Sequence, residues 1–528
     1  MKVAKKALAL VICAMMLATS FSGEGWYALV QSIKAFAIAD HEQQYDDARV
    51  ELDFNKGWKF HLGDDSTSYL KGFDDSGWED VDLPHDFSIN QEFTASGTEP
   101  ESGNLPAGTG WYRKWFNLYE YYTGDRVFLN FDGAYQHTYV YVNGQLVGEN
   151  HYGYNSFSFE ISKYLLYSNT SYNLIAVKVV NDLPSSRWYS GSGIYRDVTL
   201  AIAGPVHVSL YGPQITTPGI KNGDGTANVD IALHNSSSIS KKVTVETTIL
   251  DDEHNAVGDK VTSSLITVPA QTEKTVTLQP KVNNPELWSL DSPNLYKLKT
   301  VIKSETGEIL DEYHTTFGYR YIDWNAETGF SLNGENIKLQ GVCIHHDQGA
   351  IGALQEYEAL YRQVVTLKEM GANAIRTSHN SASRTLIDIC NELGMLVIEE
   401  FFDGWDASKN NNTNDFSKYF NQKLSENNTL IGANGQAWFE FVVEQTILRD
   451  RHNPCIIAWD VGNELGNITT GESTANYENI AKSIVAIRNE LDPSRVLLQG
   501  NNAPTISEAT KMIDGYMDVI GGNYSLYG

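Results

Sequence analysis

The chain has 528 residues, too many for one hydrophobic core and suited to about three domains. Hydrophobic residues make up 41% of it and charged residues 20%, which is typical of a globular protein. Its 39 basic and 66 acidic residues give a net charge of −27, and no basic stripe interrupts the acidic excess, so nucleic acids and anionic membrane surfaces are not expected partners.

The N-terminus has the pattern of a secretory signal peptide. Lys2, Lys5 and Lys6 precede an apolar run over residues 7–18, which is too short for a membrane span. We therefore assign residues 1–39 to a signal peptide and leader. The mature protein is expected to be secreted or held at the cell surface.

The four cysteines do not form a disulfide framework. Cys13 lies in the leader, and the other three are widely separated in apolar segments, at Cys343, Cys390 and Cys455. Without close spacing, buried free thiols are expected rather than disulfides or a metal site.

Residues 45–204 have the pattern of an all-β domain. Short apolar segments at 127–131, 139–142, 157–159 and 176–180 are separated by turn residues. The dipeptide at residues 143–144, Asn-Gly, predicts a two-residue hairpin turn.

A second β-domain is predicted for residues 205–318, beginning at Pro205. Apolar residues alternate cleanly there, as at 229–233 and 296–298, between turns rich in Gly, Asn and Ser. This pattern suits an immunoglobulin-like β-sandwich of about 100 residues. No candidate catalytic residue lies in it, so a spacer role is sufficient.

From residue 319 onward, strand patterns alternate with helical ones. Six strands are predicted, at 337–342, 373–376, 395–400, 456–461, 496–498 and 519–522, with a helix at 357–370 after the first. Alternating strands and helices predict a parallel βα-barrel. Its active site would lie at the carboxyl ends of the strands.

The fourth predicted strand ends in a polar pair, Asn463 and Glu464. Its apolar run over residues 456–459 suits a strand buried on both faces, and the residues before it predict an amphipathic helix that ends at Asn453-Pro454. A carboxylate at this point could be catalytic, or it could cap the next helix. The pair alone leaves both interpretations open.

Residues 449–464 closely resemble the signature segment of glycoside hydrolase family 2, with the sequence RDRHNPCIIAWDVGNE. Residues 83–86 and 187–196, LPHD and RWYSGSGIYR, resemble that family's sugar-binding jelly-roll domain, and residues 284–289 and 317–320 resemble its second domain. The resemblance covers nearly all of the mature chain. It implies a jelly-roll β-sandwich, an immunoglobulin-like β-sandwich and a (β/α)8 TIM barrel.

The resemblance also implies residue roles. Glu464 would be the general acid/base, and Asn463 would hydrogen-bond the sugar 2-hydroxyl. Residues 341–346 and 373–379 resemble family segments in which histidines bind sugar hydroxyls, which implicates His345 and His379. Arg376 would brace the catalytic carboxylates.

Three further substrate contacts follow from the same resemblance. Tyr524 matches a tyrosine that is hydrogen-bonded to the nucleophile. Arg187 and Trp188 lie in a loop that reaches the barrel mouth in the family, although an arginine and a tryptophan that close a β-sandwich edge are an equally good interpretation. Some family members have an acidic residue near the position of Arg187.

No cofactor is expected. In well-known β-galactosidases of the family, a glutamate and a histidine past the third strand help to hold magnesium, but Gly404 and Asp406 stand at those positions here. Asp403, Trp405 and Asp406 would instead shape the substrate pocket or cap their loop.

A retaining glycosidase needs a second carboxylate about 5–5.5 Å from the first. In this family the second carboxylate follows the seventh strand, whereas only six strands are predicted here, so the barrel is expected to be truncated after about strand six. The later glutamates have loop or helical contexts, at Glu472, Glu478, Glu490 and Glu508. We expect the nucleophile to be absent from this sequence and residues 40–528 alone to be inactive.

The predicted function is that of a retaining exo-β-glycosidase, most like a bacterial β-galactosidase, with a carbohydrate as its partner. The likeness to β-galactosidases is strongest at 187–196 and 345–349. A β-glucuronidase or β-mannosidase of the same family is the alternative. A non-catalytic sugar-binding protein is the alternative of another class, and the oligomeric state stays open.

Overall fold

The computed structural model describes residues 48–425, 428–465, 474–501 and 513–524. The expected signal peptide and leader, residues 1–39, lie outside the described residues. The described chain forms two antiparallel β-domains followed by a parallel α/β domain, as the sequence patterns predict. Among these residues, no helix combines the length and the apolar character needed to cross a bilayer.

The first domain is a sandwich of two antiparallel sheets. Its strands are β1 Arg49–Asp53, β2 Trp58–Leu62, β3 Glu79–Val81, β4 Gly108–Asn117, β5 Arg126–Phe131, β6 His137–Val142, β7 Gln145–Asn150, β8 Phe157–Glu160, β9 Tyr172–Asn181 and β10 Val198–Ala203. The sheets have the orders β1-β10-β5-β8 and β3-β2-β4-β9-β6-β7. Val127, Leu129 and Phe131 alternate inward along β5, as the period of two requires. The predicted hairpin is confirmed, since Asn143 and Gly144 have φ values of 51° and 84°.

The second domain is a smaller sandwich with its own core. Its strands are β11 Val206–Thr216, β12 Asn228–Asn235, β13 Lys241–Leu250, β14 Val261–Thr262, β15 Ile266–Val268, β16 Thr272–Leu278, β17 Tyr296–Ser304 and β18 Ile309–Phe317. One sheet has the order β11-β12-β16 and the other β14-β13-β17-β18, with β15 also on β13. Ile231, Val245 and Leu298 are fully buried between them, which confirms the predicted alternation.

The third domain begins with a small antiparallel sheet and continues as a parallel one. Its elements are β19 Ile322–Asn325, β20 Gly329–Leu332, β21 Glu335–Asn336, β22 Gly341–Ile344, α1 Tyr357–Glu369, β23 Ala374–Thr377, α2 Arg384–Leu393, β24 Leu396–Glu400, α3 Trp438–Asp450, β25 Ile456–Asn463, α4 Thr474–Leu491, β26 Val496–Asn501 and β27 Val519–Gly522. Strands β22 to β27 pair in chain order and in parallel. The described residues thus supply six of the eight strands of a closed barrel.

Two sequence predictions about the first barrel strand were wrong. The strand begins at Gly341 rather than at residue 337, because its parallel pairing with β23 starts at Gly341, whereas β21 ends at Asn336 and the residues between them are in no strand. Cys343 is exposed, whereas Cys390 and Cys455 are buried as expected. Among the described strands β22 pairs only with β23, which leaves one of its edges open.

Contacts between the first and third domains position the loop that carries Arg187 and Trp188. The guanidinium of Arg196, which is 1% exposed, donates to the carbonyl oxygens of Ser381 and Ala382 at 2.9 and 3.1 Å. Tyr152 donates its hydroxyl to the Phe401 carbonyl at 2.6 Å. These buried contacts hold the loop of the first domain against the carboxyl ends of β23 and β24.

Candidate active site

Glu464 directly follows β25, whose eight residues are all buried. Its backbone N–H donates to the Gly500 carbonyl of β26 at 2.7 Å. Its φ of 52° lies in the left-handed region, which costs a non-glycine residue about 1–2 kcal/mol. Its Oε1 accepts a hydrogen bond from Nδ2 of Asn523, just past β27, at 3.1 Å. A strained backbone that presents an oriented carboxylate at a strand end indicates function more than packing.

Asn463, the last residue of β25, has an amide that is held from two sides. Its Oδ1 accepts from the same Nδ2 of Asn523 at 3.1 Å, and its Nδ2 donates to Oδ1 of Asp403 at 3.4 Å. Its carbonyl accepts from Nζ of Lys409. Asn463 is 2% exposed, so its amide is fixed before any ligand arrives.

Arg376, at the end of β23, lies between two fully buried carboxylates. Its Nε donates to Asp460 at 2.7 Å, and its Nη2 lies 2.9 Å from Oε2 of Glu400. Burial raises the pKa of Asp460 to about 7 and that of Glu400 well above its usual range, although the charge of Arg376 opposes both shifts. One guanidinium thus serves two carboxyls, and at least one of them retains a proton near neutral pH.

Two histidines and a tryptophan form one wall of the site. The Trp188 ring centroid lies 4.7 Å from that of His345 and 5.7 Å from that of His379, and the two histidine rings are 5.6 Å apart. Burial lowers the pKa of His345 to about 4 and, together with the charge of Arg376, that of His379 to about 3. Both imidazoles are therefore neutral at pH 7 and can donate and accept hydrogen bonds to hydroxyl groups.

A carboxylate after β24 ties the first domain to this edge of the sheet. Asp403 accepts from Nε and Nη2 of Arg187 at 2.7 and 2.5 Å and from Nζ of Lys409 at 3.1 Å. Burial alone would raise the pKa of Asp403, but the bonds from Arg187 and the charge of Lys409 outweigh it and lower the pKa to about 2. Asp403 is therefore ionised and positioned throughout the physiological range.

Some of these groups line a cavity of about 60 Å3, whose lining does not include Glu464, Asn463, Arg376 or His345. Arg187, Trp188, His379, Asp403 and Lys409 line it, with the aromatic rings of Tyr152, Tyr154, Trp405 and Phe416 on its other walls. An aromatic wall beside fixed donors and acceptors matches the apolar ring face and hydroxyl groups of a sugar, although 60 Å3 is well below the range of small-molecule sites, about 300–1,000 Å3.

The structure places most of the residues expected from the sequence at this one edge. Those brought together are Glu464, Asn463, His345, His379, Arg376, Arg187 and Trp188. Tyr524 is different, because its side chain is 86% exposed and has no hydrogen bond among the described residues.

Two residues of the site were not assigned from the sequence. Asn523, rather than its neighbour Tyr524, contacts Glu464, and Lys409 lines the cavity beside Asp403, which the sequence had indicated as a pocket residue. The position of Asn523 at a strand end could have indicated its role. Lys409 lies in a loop without periodicity, and no sequence signal marks it.

The magnesium position of the family does not fit this chain. Gly404 has no side chain to offer, and Oδ2 of Asp406 already accepts from Asn421 and Asn476 at 2.6 and 2.5 Å. Among the described residues, no group of three or more His, Cys, Asp or Glu side chains is placed to hold a metal ion.

Comparisons with known proteins agree with this architecture. Family models described as the sugar binding domain, the family 2 domain and the TIM barrel domain of glycosyl hydrolases family 2 match residues 33–203, 206–320 and 326–524. A solved structure of a family 2 member from Bacteroides cellulosilyticus superposes with a TM-score of 0.82 at 35% identity, covering 90% of this chain and 58% of that one. The chain belongs to glycoside hydrolase family 2.

Two curated relatives are equally similar but carry different names. The chain is 36% identical over 507 residues to the beta-galactosidase BoGH2A of Bacteroides ovatus, covering 90% of this chain and 57% of that protein. It is also 36% identical over 462 residues to a putative beta-glucuronidase of Formosa agariphila, covering 86% of this chain and 40% of that protein. The chain thus spans about half the length of these relatives, and their names differ in the sugar.

Proposed function

We propose that this protein hydrolyses terminal β-glycosidic bonds, with Glu464 as the general acid/base. The observation that carries the proposal is the placement of Glu464 at the end of a fully buried strand. Its carboxylate accepts a hydrogen bond from Asn523, and its backbone adopts a strained, left-handed conformation. The family relationship and the neutral histidines beside the cavity support it.

In the proposed reaction, Glu464 protonates the glycosidic oxygen as its bond to the anomeric carbon breaks. An alkoxide is a poor leaving group, so this proton transfer lowers the barrier. In the second step the Glu464 carboxylate removes a proton from the attacking water. Asn463 binds the sugar 2-hydroxyl, and the imidazoles of His345 and His379 bind other hydroxyls.

The proposed mechanism retains the anomeric configuration and needs a nucleophilic carboxylate about 5–5.5 Å from Glu464. Glu400 and Asp460 have no exposed side-chain surface and share Arg376, so neither can reach a sugar. Asp403 is bound by Arg187 and Lys409. We therefore assign the nucleophile to none of these carboxylates.

A β-galactoside is the proposed substrate, as the name of the B. ovatus relative suggests. The cations in the cavity, Arg187 and Lys409, both bind Asp403. Asp403 offsets part of their positive charge, which weakens their attraction for a glucuronate carboxylate and favours a neutral sugar. A β-glucuronide is the alternative, because the F. agariphila relative is named for it, and a β-mannoside is the third candidate.

Export is proposed for the mature protein on the basis of the charged and apolar pattern in residues 1–39. N-terminal sequencing of the protein recovered from the medium or the cell envelope tests this. A mature chain that starts after that leader supports export, and an intact N-terminus on protein that stays in the cytoplasm contradicts it.

The catalytic role of Glu464 is tested on the complete natural protein with two leaving groups. We expect Glu464→Gln to lower kcat/KM on a methylumbelliferyl β-galactoside by about 100- to 10,000-fold, since this leaving group needs a proton. With 2,4-dinitrophenyl β-galactoside, which needs none, the first step should be nearly unchanged. Glu305→Gln, on an exposed residue of the second domain, is the matched control.

Azide then separates the two catalytic carboxylate roles. Glycine tolerates the left-handed backbone at this position, so Glu464→Gly should fold and leave room for azide. We expect azide to restore turnover and to yield the β-galactosyl azide. An α-azide would instead identify Glu464 as the nucleophile, and saturable sugar binding without turnover by the unmodified protein would support the non-catalytic alternative.

A further inference from the structure

A second cavity, of about 300 Å3, lies where the three domains meet. We call it the three-domain cleft and define it by Glu51, Thr199, Tyr211, Tyr313, Arg384 and Asp388. It shares no lining residue with the cavity of the candidate active site. Its volume reaches the range of small-molecule sites, about 300–1,000 Å3.

The first domain provides one wall of the three-domain cleft, the outer face of its four-stranded sheet. The strand register places Glu51 beside Ala201, Ala201 beside Phe128 and Thr199 beside Asn130, so these side chains share one face. This face is polar at its edges and apolar at its centre. Its composition therefore resembles that of a ligand site.

The third domain contributes Arg384, the first residue of α2. Its backbone is fixed, because its N–H donates to Oδ2 of Asp132 at 3.0 Å and Ser383 caps the helix. The guanidinium is not fixed in the same way. Its Nε lies 3.8 Å from Asp388, it has no hydrogen bond among the described residues, and 68% of the side chain is exposed at the cleft.

Two tyrosines of the second domain line the cleft together with Arg384. Tyr211 occupies an irregular stretch of β11 with φ of 56°, and such irregularities redirect side chains. The ring of Tyr313 is held by Arg49, whose guanidinium lies 4.8 Å from the ring centroid and is itself bound by Asp311.

The charges of the cleft nearly cancel. Its lining holds three arginines and four carboxylates, at Arg49, Arg384, Arg449, Glu51, Asp132, Asp197 and Asp388. An anion would gain no net attraction there. A neutral ligand with many hydroxyl groups can use the arginine as a donor and the carboxylates as acceptors at once.

We propose that the three-domain cleft is a second carbohydrate-binding site, separate from the candidate active site, for a neutral mono- or disaccharide. The sugar ring packs on Tyr211 and Tyr313, and its hydroxyls accept from Arg384 and donate to Asp388. Because the site binds without reacting, this proposal does not depend on the proposed hydrolysis.

Titration calorimetry on the complete natural protein with methyl β-D-galactoside and cellobiose tests the proposal. We expect binding at the cleft to weaken at least 10-fold in Arg384→Met and in Thr199→Trp, which fills the cleft from an exposed position. Arg362→Met, on the exposed surface of α1, is the matched control and should bind like the unmodified protein. Thermal unfolding of each variant verifies that it is folded.

The Trp188→Ala variant separates the two sites. It should remove any binding event at the candidate active site and leave the event at the cleft intact. Unchanged binding in both Arg384→Met and Thr199→Trp would overturn the proposal. Displacement of the sugar by millimolar sulfate would overturn it in another way, by identifying an anion site.

Discussion

Two arginine–carboxylate networks lie on opposite faces of β24 and begin at consecutive residues. Glu400 faces the candidate active site, where Arg376 binds it together with Asp460. Glu399 faces away from it, where Arg449 binds it together with Asp132 of the first domain and Asp450 of α3. We call these the inner and outer networks. Because successive side chains of a strand point to opposite faces, two consecutive glutamates of β24 take part in two separate networks of the same chemical type.

The two networks differ in how fully they satisfy their arginine. Arg449 is 3% exposed and donates to carboxylates, to the Ser156 hydroxyl and to the Ala382 carbonyl. Arg376 is 14% exposed, and its third partner is the titratable ring of His379 at 3.2 Å. The outer network therefore joins domains, whereas the inner one adjoins groups that can exchange protons and bind sugar.

Replacing the arginine of the outer network should have the largest effect on stability. Arg449→Met leaves the buried charge of Asp132 uncompensated, and its free energy of unfolding should fall by about 3–5 kcal/mol. Urea denaturation followed by tryptophan fluorescence measures this. Arg362→Met should stay within about 0.5 kcal/mol, and an equally small change for Arg449→Met would show that the outer network does not hold the domains together.

The same substitution in the inner network should affect function more than folding. Because burial already raises the pKa values of Glu400 and Asp460, these carboxyls can take up protons when Arg376→Met removes their cation. We expect kcat/KM to fall about 100-fold through misplacement of the strand ends.

The pH dependence identifies the proton uptake in this variant. Carboxyls with raised pKa values stabilise the fold less as pH rises through those values, so Arg376→Met should be less stable at pH 8 than at pH 6. Comparison with unmodified protein at both values tests this. A stability loss as large as that of Arg449→Met at pH 6 would remove the distinction between the networks.

Part of the inner network could be predicted from sequence: the family resemblance indicated Arg376 and His379, whereas Glu400 and Asp460 were not assigned. The buried run of β25 and the strand before His379 predicted both the parallel sheet and the edge at which Asn463 and Glu464 lie. The bond from Asn523 to Glu464 joins residues 59 apart, and the bond from Arg187 to Asp403 joins residues 216 apart. Periodicity in a sequence predicts which face of an element a residue occupies and where the element ends, but it does not predict which distant side chains pair.

The outer network and the three-domain cleft could not be predicted for the same reason. Arg449 meets Asp132 across 317 residues and two domains, and although Arg449 begins the segment that resembles the family signature, nothing in the sequence indicates Asp132 as its partner. Each arginine there could equally be a solvated surface residue. Only the packing of three separately predictable domains brings these side chains together.

A smaller change tests how tightly the inner network is packed. A Cβ on Gly500 would lie 3.0 Å from Nη2 of Arg376 and 3.2 Å from Oδ1 of Asn523. Gly500→Ala should therefore displace both partners, lower kcat/KM about 10-fold and cost about 1–2 kcal/mol of stability. Gly77→Ala, where a Cβ meets nothing within 4 Å, is the control. Unchanged kinetics would show that Arg376 and Asn523 can accommodate an extra methyl group without losing their positions.

The smallest expected effect concerns the protonation of His379, the histidine of the inner network. Burial lowers the pKa of His379 to about 3, so below pH 6.5 the unfolded chain binds a proton that the folded protein does not. The stability contributed by the neutral ring is complete above pH 6.5 and is lost as pH falls toward 3, by about 1 kcal/mol between pH 7 and 5.5. His379→Gln removes this loss, so the melting temperature of this variant should fall less than that of the unmodified protein between about pH 7 and 5.5. His314 is an exposed histidine of the second domain, and His314→Gln should show the same pH dependence as the unmodified protein. If His379→Gln kept the full pH dependence, the ring would already exchange protons with water, and the inner network would be as solvated as a surface ion pair.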